Sequence, residues 1–322
     1  MSKRLWHIAY KQGHYAEKLF WIIIGLIKRI FLLFTLPRYD TVYIFMNVFP
    51  FGPAILERLY GIISRRIIYD IEDNIISDES YEQTYNLSNK RKTIGFLKSK
   101  KKYEYLIKIS DVVITSSPVL SERCNELSGS DKSIFIPSTL NEKRFLPRTS
   151  SVNKEKLTIG WTGTFSTKPF LEIVIPSLEA LYKERDFKMK VIGNFEMENP
   201  ALDLEVTQWS EENEVRDLQD IDIGLYPLPV NDWVSGKDGL KAMQYMSIGI
   251  PAVCTAVGNV LNIIDDGVDG ILVLEESEWK EKLKDIIDDE MKRKIIGENA
   301  RKTFLSKFSK KSITKLYLKA LG

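Results

Sequence analysis

The sequence predicts an α/β protein built from two doubly wound parallel-sheet domains, on three observations. Short apolar runs alternate with helical segments along most of the chain, as expected of a parallel sheet covered by helices on both faces. The alternation breaks once, at a polar stretch over residues 147–154, and then restarts. The length of 322 residues also suggests two domains, or one large one. The expected domains are residues 1–150 and 151–322.

The first apolar stretch is Leu19-Phe20-Trp21-Ile22-Ile23-Ile24-Gly25-Leu26-Ile27, followed by Lys28-Arg29 and then Ile30-Phe31-Leu32-Leu33-Phe34. Together these approach the ~20 residues of a bilayer span. Two adjacent cations near the middle, however, would each cost roughly 2.5–3.5 kcal/mol on insertion, and no small-residue cleavage site follows. The segment reads as an amphipathic helix with one side in the core and the other available to a membrane surface. A membrane span is the alternative.

Residues 41–45, Thr-Val-Tyr-Ile-Phe, have the β-branched and aromatic content of a buried strand, and Pro50-Phe51-Gly52-Pro53 closes it with a turn. Ile55, Leu56, Leu59 and Ile62 then recur at helical spacing. Strands follow at 66–70, 112–115 and 133–136, with a helix around Tyr105 to Ile109. Beyond the polar stretch, strands are expected at 157–161, 189–192, 204–206, 221–226, 252–255 and 270–274. Helices are expected to begin near Pro169, Glu211, Gly239 and Glu278, and the end of the chain reads as helical. Two such domains place a ligand in the cleft between them, at the carboxyl ends of the strands.

Composition narrows the chemistry. The chain is 44% hydrophobic and 28% charged, which excludes a disordered or collagenous protein. Cys124 and Cys254 are the only cysteines, and His7 and His14 the only histidines. A disulfide framework, a cysteine-based zinc site and a serine–histidine triad in the body of the chain therefore lose their residues, and two cysteines fit a reducing, cytosolic compartment. Charge is uneven. Residues 1–148 hold 23 Lys and Arg against 15 Asp and Glu (+8), and the remainder 23 against 29 (−6). The densest positive stretch, Lys90, Arg91, Lys92, Lys98, Lys100, Lys101 and Lys102, reads either as a solvated helix face or as a surface for anionic lipid, phosphorylated substrate or nucleic acid.

Neither a G-x-x-x-x-G-K-S/T phosphate loop nor G-x-G-x-x-G nor G-x-S-x-G is present, so kinase, dehydrogenase and serine-hydrolase readings lose their main support. The most informative segment runs from Ser235 to Pro251. Leu240, Met243 and Ile250 suggest a buried stripe, and Gly249 and Pro251 stop the helix. Lys237 and Lys241, four apart, fall on one side of its first turn, where cations oppose the helix dipole. Two such violations suggest an anion seated between the amines and the free backbone N–H groups of Gly239 and its neighbours. A diphosphate has the right charge and size, and two solvated lysines on a surface turn are the alternative. A second cradle runs from Gly160 through Gly163, Thr164, Ser166, Thr167 and Lys168 to Pro169, where glycines, hydroxyls and an amine join a strand to a helix. It also reads as an ordinary capped turn. Asp70-Ile71-Glu72-Asp73 closes a strand and reads as acceptor-binding or structural, with a divalent-metal site as the minority alternative.

On these residues the sequence resembles glycosyltransferase family 4, whose members have the GT-B fold of two Rossmann-like domains facing across a cleft. The resemblance rests on Tyr69-Asp70-Ile71-Glu72-Asp73, Gly160 to Thr167, Trp209 to Val215, Pro227-Leu228-Pro229 and Gly236 to Pro251. It implies that the second domain binds a nucleotide-sugar and the first an acceptor. Lys168, Lys241 and the Gly163-Thr164 backbone would hold the diphosphate, and Lys237 would lie near the donor's phosphate or sugar. Gln244 stands where many relatives carry a ribose-binding glutamate. Gly193, Asn194 and the stretch from Trp209 to Val215 would border the base, and Phe51, Gly52, Glu72 and Asp73 would lie on the acceptor side. The implied activity is retaining, metal-independent hexosyl or deoxyhexosyl transfer, without a cofactor, onto a glycan or lipid-linked glycan of a capsule or O-antigen. The expected setting is the cytoplasm, peripheral to an anionic membrane face, with no nucleic-acid partner.

The chain departs from the family pattern in several places. Gly236 replaces a first glutamate, Phe45-Met46-Asn47 replaces a His-Arg-Glu stretch, and Glu72 replaces an aspartate. Relatives also begin with a strand, loop and helix that the first domain is expected to lack. A catalytically silent binding or scaffold subunit is therefore the alternative function.

Overall fold

The computed structural model describes residues 13–76, 101–148 and 156–322. Trp6, His7, the basic residues 90–100 and most of the expected linker lie outside them. The chain forms two compact units. The first holds described residues up to Thr115 together with Leu120–Phe135, and the second holds Ser116–Val119 and Ile136–Gly322.

In the first unit, α1 (Tyr15–Leu33) precedes β1 (Val42–Phe45), α2 (Ile55–Ile63) and β2 (Ile67–Ile71). These are followed by α3 (Lys101–Ile109), β3 (Val112–Thr115), α4 (Pro118–Ser128) and β4 (Ser133–Phe135). The four strands form one parallel sheet in chain order. All five residues of β2 are buried, as a strand covered on both faces requires. Among the described residues no helix is long and apolar enough to cross a membrane, so α1 is not a span. Leu33 and Leu26 face the core, whereas Leu19, Phe20, Ile23, Ile27, Ile30 and Phe31 are exposed.

One part of the basic stretch behaves contrary to either surface reading. Lys102 is fully buried. Its ammonium donates to the carbonyls of Phe49 (2.7 Å) and Phe51 (3.3 Å) and lies 3.8 Å from Glu57 Oε1, while Glu57 also accepts from the Phe49 amide. Burial lowers the Lys102 pKa against the pull of Glu57. A charge can be buried here because it is paired and hydrogen-bonded.

In the second unit, β5 (Leu157–Thr162) leads through a 3₁₀ turn (Phe165–Thr167) into α5 (Lys168–Glu172) and α6 (Ile175–Tyr182). Then come β6 (Phe187–Gly193), β7 (Leu204–Gln208), α7 (Glu214–Gln219), β8 (Ile223–Tyr226), α8 (Asp232–Ser235) and α9 (Leu240–Ile248). The unit ends with β9 (Ala252–Thr255), α10 (Val260–Ile263), β10 (Ile271–Val273), α11 (Trp279–Asp288), α12 (Glu290–Thr303) and α13 (Lys310–Leu321). The helix expected near Glu211 begins at Glu214, because the Asn213 amide first turns back onto Ser210.

The six strands are parallel in the order β10-β9-β8-β5-β6-β7. Chain order runs one way from β5 and the other way from β8, so the sheet reverses between them. Ligands of such sheets bind beyond the strands' carboxyl ends at this reversal. α9 is seated against it by Tyr245. The buried Tyr245 hydroxyl donates to Leu225 O of β8 and accepts from Thr162 N of β5, both at 3.2 Å. Its ring lies where a Cβ on Gly224 would fall, 2.3 Å away. The expected stripe of Leu240, Met243 and Ile250 is part of a wider contact. Ala242, Met243, Tyr245, Met246, Ser247 and Ile248 are all buried, and Leu240 and Ile250 only partly so.

Gly224→Ala should therefore destabilise the protein by about 1–3 kcal/mol, the usual cost of overpacking a core. Urea denaturation of the variant beside wild type checks this.

Candidate functional site

The site begins with the turn that launches α9. Gly239 takes a left-handed φ of 80°, and a Cβ there would meet Ile263 Cδ1 at 2.3 Å. Asp238 pins the turn. Its carboxylate accepts from Leu240 N (3.1 Å) and Ser138 Oγ (2.8 Å), and its carbonyl accepts from Asn259 Nδ2 (2.7 Å). The helix starts only at Leu240. Lys241 alone thus lies in its first turn, and Lys237 sits in the preceding loop, a correction to the expectation of two lysines on one helical face. The left-handed glycine interrupts the helix that the spacing suggested.

The two ammonium groups rest on aromatic rings. Lys237 Nζ is 4.0 Å from the Trp233 ring centre. Lys241 Nζ is 4.6 Å from Trp161 and 5.9 Å from Tyr226, and 3.5 Å from Thr167 Oγ1. Burial pushes the Lys241 pKa down to about 7, helped by the charge of Lys237 and opposed by Asp238. The ring faces recover part of the lost hydration.

The glycine-rich loop lies beside Lys241. Thr164 N donates to Thr167 Oγ1 (3.0 Å), Thr167 N donates to Thr164 O (2.9 Å), and the Thr164 and Ser166 hydroxyls are 2.9 Å apart. Asn194 Oδ1 accepts from Phe165 N at 2.7 Å, fixing the loop to the end of β6. Two glycines allow the close approach. A Cβ on Gly163 would fall 2.1 Å from the Trp161 ring, and one on Gly193 would fall 2.7 Å from Phe195 and 3.1 Å from Gly163 O. Trp161 and Phe195 meet edge to face at 6.0 Å, and Lys168 Nζ lies 5.6 Å from Phe195. Lys168 and Lys241 therefore ride on the two rings of one aromatic pair.

One turn along α9, Gln244 Nε2 donates to Glu214 Oε1 at 3.2 Å. Trp209 Nε1 donates to the same oxygen at 3.4 Å, and Arg144 donates to Oε2 at 2.8 Å. Val215 packs against the core. The structure thus gathers Gly163, Thr164, Ser166, Thr167, Lys168, Gly193, Asn194 and Lys241 around the sheet reversal, with Gln244 and Trp209 joined through Glu214.

Phe51, Gly52, Glu72 and Asp73 belong to the first unit, beyond the carboxyl ends of the adjacent strands β1 and β2. Glu72 and Asp73 are exposed, and the Glu72 amide donates to Met46 Sδ. Asp70 is buried and accepts from the Tyr43 hydroxyl. Among the described residues, no three His, Cys, Asp or Glu side chains are grouped as metal ligands.

Sequence reasoning assigned no role to Trp161, Phe195, Tyr226, Trp233 or Arg144, and gave Glu214 only a place in the stretch bordering the base. Trp161 and Glu214 stand inside the quoted segments, and Phe195 directly follows Asn194. Arg144 carried no signal.

Residues 142–303, half of the chain, match the family Glycosyl transferases group 1. The chain belongs to this family. An uncharacterized glycosyltransferase of Methanocaldococcus jannaschii is 26% identical to it over 296 residues, 82% of each protein. Among solved structures, Anabaena HepE in complex with UDP and glucose superposes with a TM-score of 0.68 at 16% identity, over 91% of this chain and 80% of HepE. Sucrose-phosphate synthase from Thermosynechococcus elongatus gives 0.63 at 14% identity, over 90% and 79%. The fold is GT-B, and both lysine-bearing segments of the candidate site lie within the matched region.

The low Lys241 pKa fixes a sign. Between about 7 and the ordinary value of 10.5 the folded state binds fewer protons than the unfolded, so this group makes stability rise with pH. Across pH 7 to 10 the wild type should gain stability relative to Lys241→Met, as measured by denaturation at each pH. Parallel curves would show that the ammonium is not desolvated.

Proposed function

We propose that this glycosyltransferase moves a sugar from a nucleotide-sugar donor bound by the second unit to a glycan acceptor bound by the first. The observation that carries the reading is the seat of Lys241 at the start of α9, facing the Gly163–Thr167 loop at the sheet reversal. A diphosphate placed there meets Lys241, the loop's hydroxyls and Lys168, while the amides of Gly163, Thr164, Phe165 and Thr167 hold the loop together. Its negative charge raises the Lys241 pKa and favours the ammonium. As the glycosidic bond breaks, charge grows on the departing diphosphate and an oxocarbenium-like sugar forms. Preorganised cations act where that charge develops. Transfer is retaining, needs no protein nucleophile and no metal, and uses a hexosyl or deoxyhexosyl donor. HepE, with UDP and glucose bound, supports a uridine nucleotide as the first donor to try.

The acceptor side takes in Phe51, Gly52, Glu72 and Asp73, and the acceptor is a lipid-linked glycan of a surface polysaccharide. The exposed face of α1 supports that choice. Leu19, Phe20, Ile23, Ile27, Ile30 and Phe31 fall within an arc of about 120° at 3.6 residues per turn, with Lys28 beside it. An apolar face with one lysine near its edge suits a membrane surface on the cytoplasmic side.

Thermal-shift screening of nucleotide-sugars identifies the donor, because a ligand of the native state raises its stability. With that donor, Lys241→Ala and Lys237→Ala should each lose about 10²–10³-fold in kcat, and chelator should leave wild-type transfer intact. Unchanged transfer by both variants would remove the diphosphate site. Joint Phe20→Glu and Phe31→Glu substitution should abolish co-sedimentation with phosphatidylserine vesicles.

A further inference from the structure

α9 supplies the candidate site with a cation but no carboxylate. Position 244 is a neutral glutamine, and Gly236 lies before the helix, at the end of α8. A ribose presents hydroxyl donors, and an ionised carboxylate oxygen accepts such a donor in a stronger, charge-assisted hydrogen bond than a neutral amide oxygen does. The carboxylate that meets α9 here comes from another element, as Glu214 is the first residue of α7 and accepts from Gln244 Nε2 at 3.2 Å.

Three donors from three segments aim the Glu214 side chain. Gln244 and Trp209 address Oε1, and Arg144 addresses Oε2 at 2.8 Å. The side chain is only 13% exposed, so its direction is set by these partners rather than by solvent. A carboxylate has about four lone-pair sites, and a further donor can be accepted without displacing any of the three. Position along the helix agrees. Lys241 and Gln244 are three residues apart, on one face and about 4.5 Å apart along the axis. Beyond them lies the Trp209 ring, 46% exposed. Ammonium, carboxylate and aromatic ring thus follow in the order diphosphate, ribose, base.

We infer that Glu214, rather than the residue at 244, accepts a ribose hydroxyl of the donor nucleotide through Oε2, the oxygen with a single partner, with Gln244 and Arg144 holding it in position. This rests on the donor-site reading above and adds a specificity residue to it.

Calorimetric titration of the full chain with UDP, GDP and ADP, followed by the 2′,3′-dideoxy form of the tightest binder, tests the inference. Wild type should prefer the ribonucleotide about ten- to a hundredfold, the worth of hydrogen bonds to a charged group. Glu214→Gln should lose most of that preference while binding the dideoxy form within a few-fold of wild type. Glu214→Asp keeps the charge for Arg144 but withdraws the oxygens by one methylene, and should lose the preference as well. The swap Glu214→Gln with Gln244→Glu returns a carboxylate to the pair and should restore the preference. Full ribonucleotide preference in Glu214→Gln, or an equal loss for both ligand forms, would overturn the inference. Failure of wild type to bind any of the three nucleotides would overturn the donor-site reading and this inference with it.

Discussion

The second unit depends on where one phenol sits. The Tyr245 hydroxyl occupies the point where the six-stranded sheet reverses, accepting from the last residue of β5 and donating to β8. Burial pushes its pKa further up, so the group remains a neutral donor and acceptor. Gly224 makes room for its ring. With Tyr245 fixed, α9 has one position and direction, and Lys241, one turn earlier, is delivered beside the glycine-rich loop. Elsewhere around the site, side chains adjust to a frame already set.

The lysines illustrate how a cation is stored before its partner arrives. Partly withdrawn from water, Lys241 loses much of its preference for the charged form. Trp161 and Tyr226 offer it ring faces instead of a carboxylate. A carboxylate there would neutralise the ammonium and compete with any incoming anion. A ring attracts the cation more weakly, with about 0.5–2 kcal/mol, and yields it without leaving an unpaired charge. The T-shaped contact of Trp161 with Phe195 extends the same arrangement to Lys168.

Much of the sheet architecture could be read from the chain because its inner strands are buried on both faces, unlike β1, β4 and β7 at the sheet edges. All four residues of β8 and of β9 are buried, so they appear as continuous apolar runs. Lys241 was visible because a cation at a helix start violates a local electrostatic preference, and that signal is one residue long. The true place of Lys237 was hidden by Gly239, whose lack of a side chain permits the left-handed φ of 80° and leaves room for Ile263. The fate of Lys102 was likewise hidden. A lysine within a run of lysines looks solvated until Glu57 and two carbonyls of a distant turn close around it. Glu214 and Gln244, 30 residues apart, show the same limit, since periodicity reports which face is buried and not which polar groups will meet across it.

The enclosed Lys102–Glu57 couple constrains how this lobe can evolve. Exchanging either member alone strands an ion in a dry interior, a loss of about 3–5 kcal/mol, whereas replacing both with well-fitting apolar side chains is often neutral or better. Positions 57 and 102 are thus bound to drift together or not at all. Because the lysine also clasps the carbonyls of Phe49 and Phe51, a joint replacement would release the Phe49-to-Phe51 bend, and evolution could trade a rigid rim for a pliable one in a single paired step.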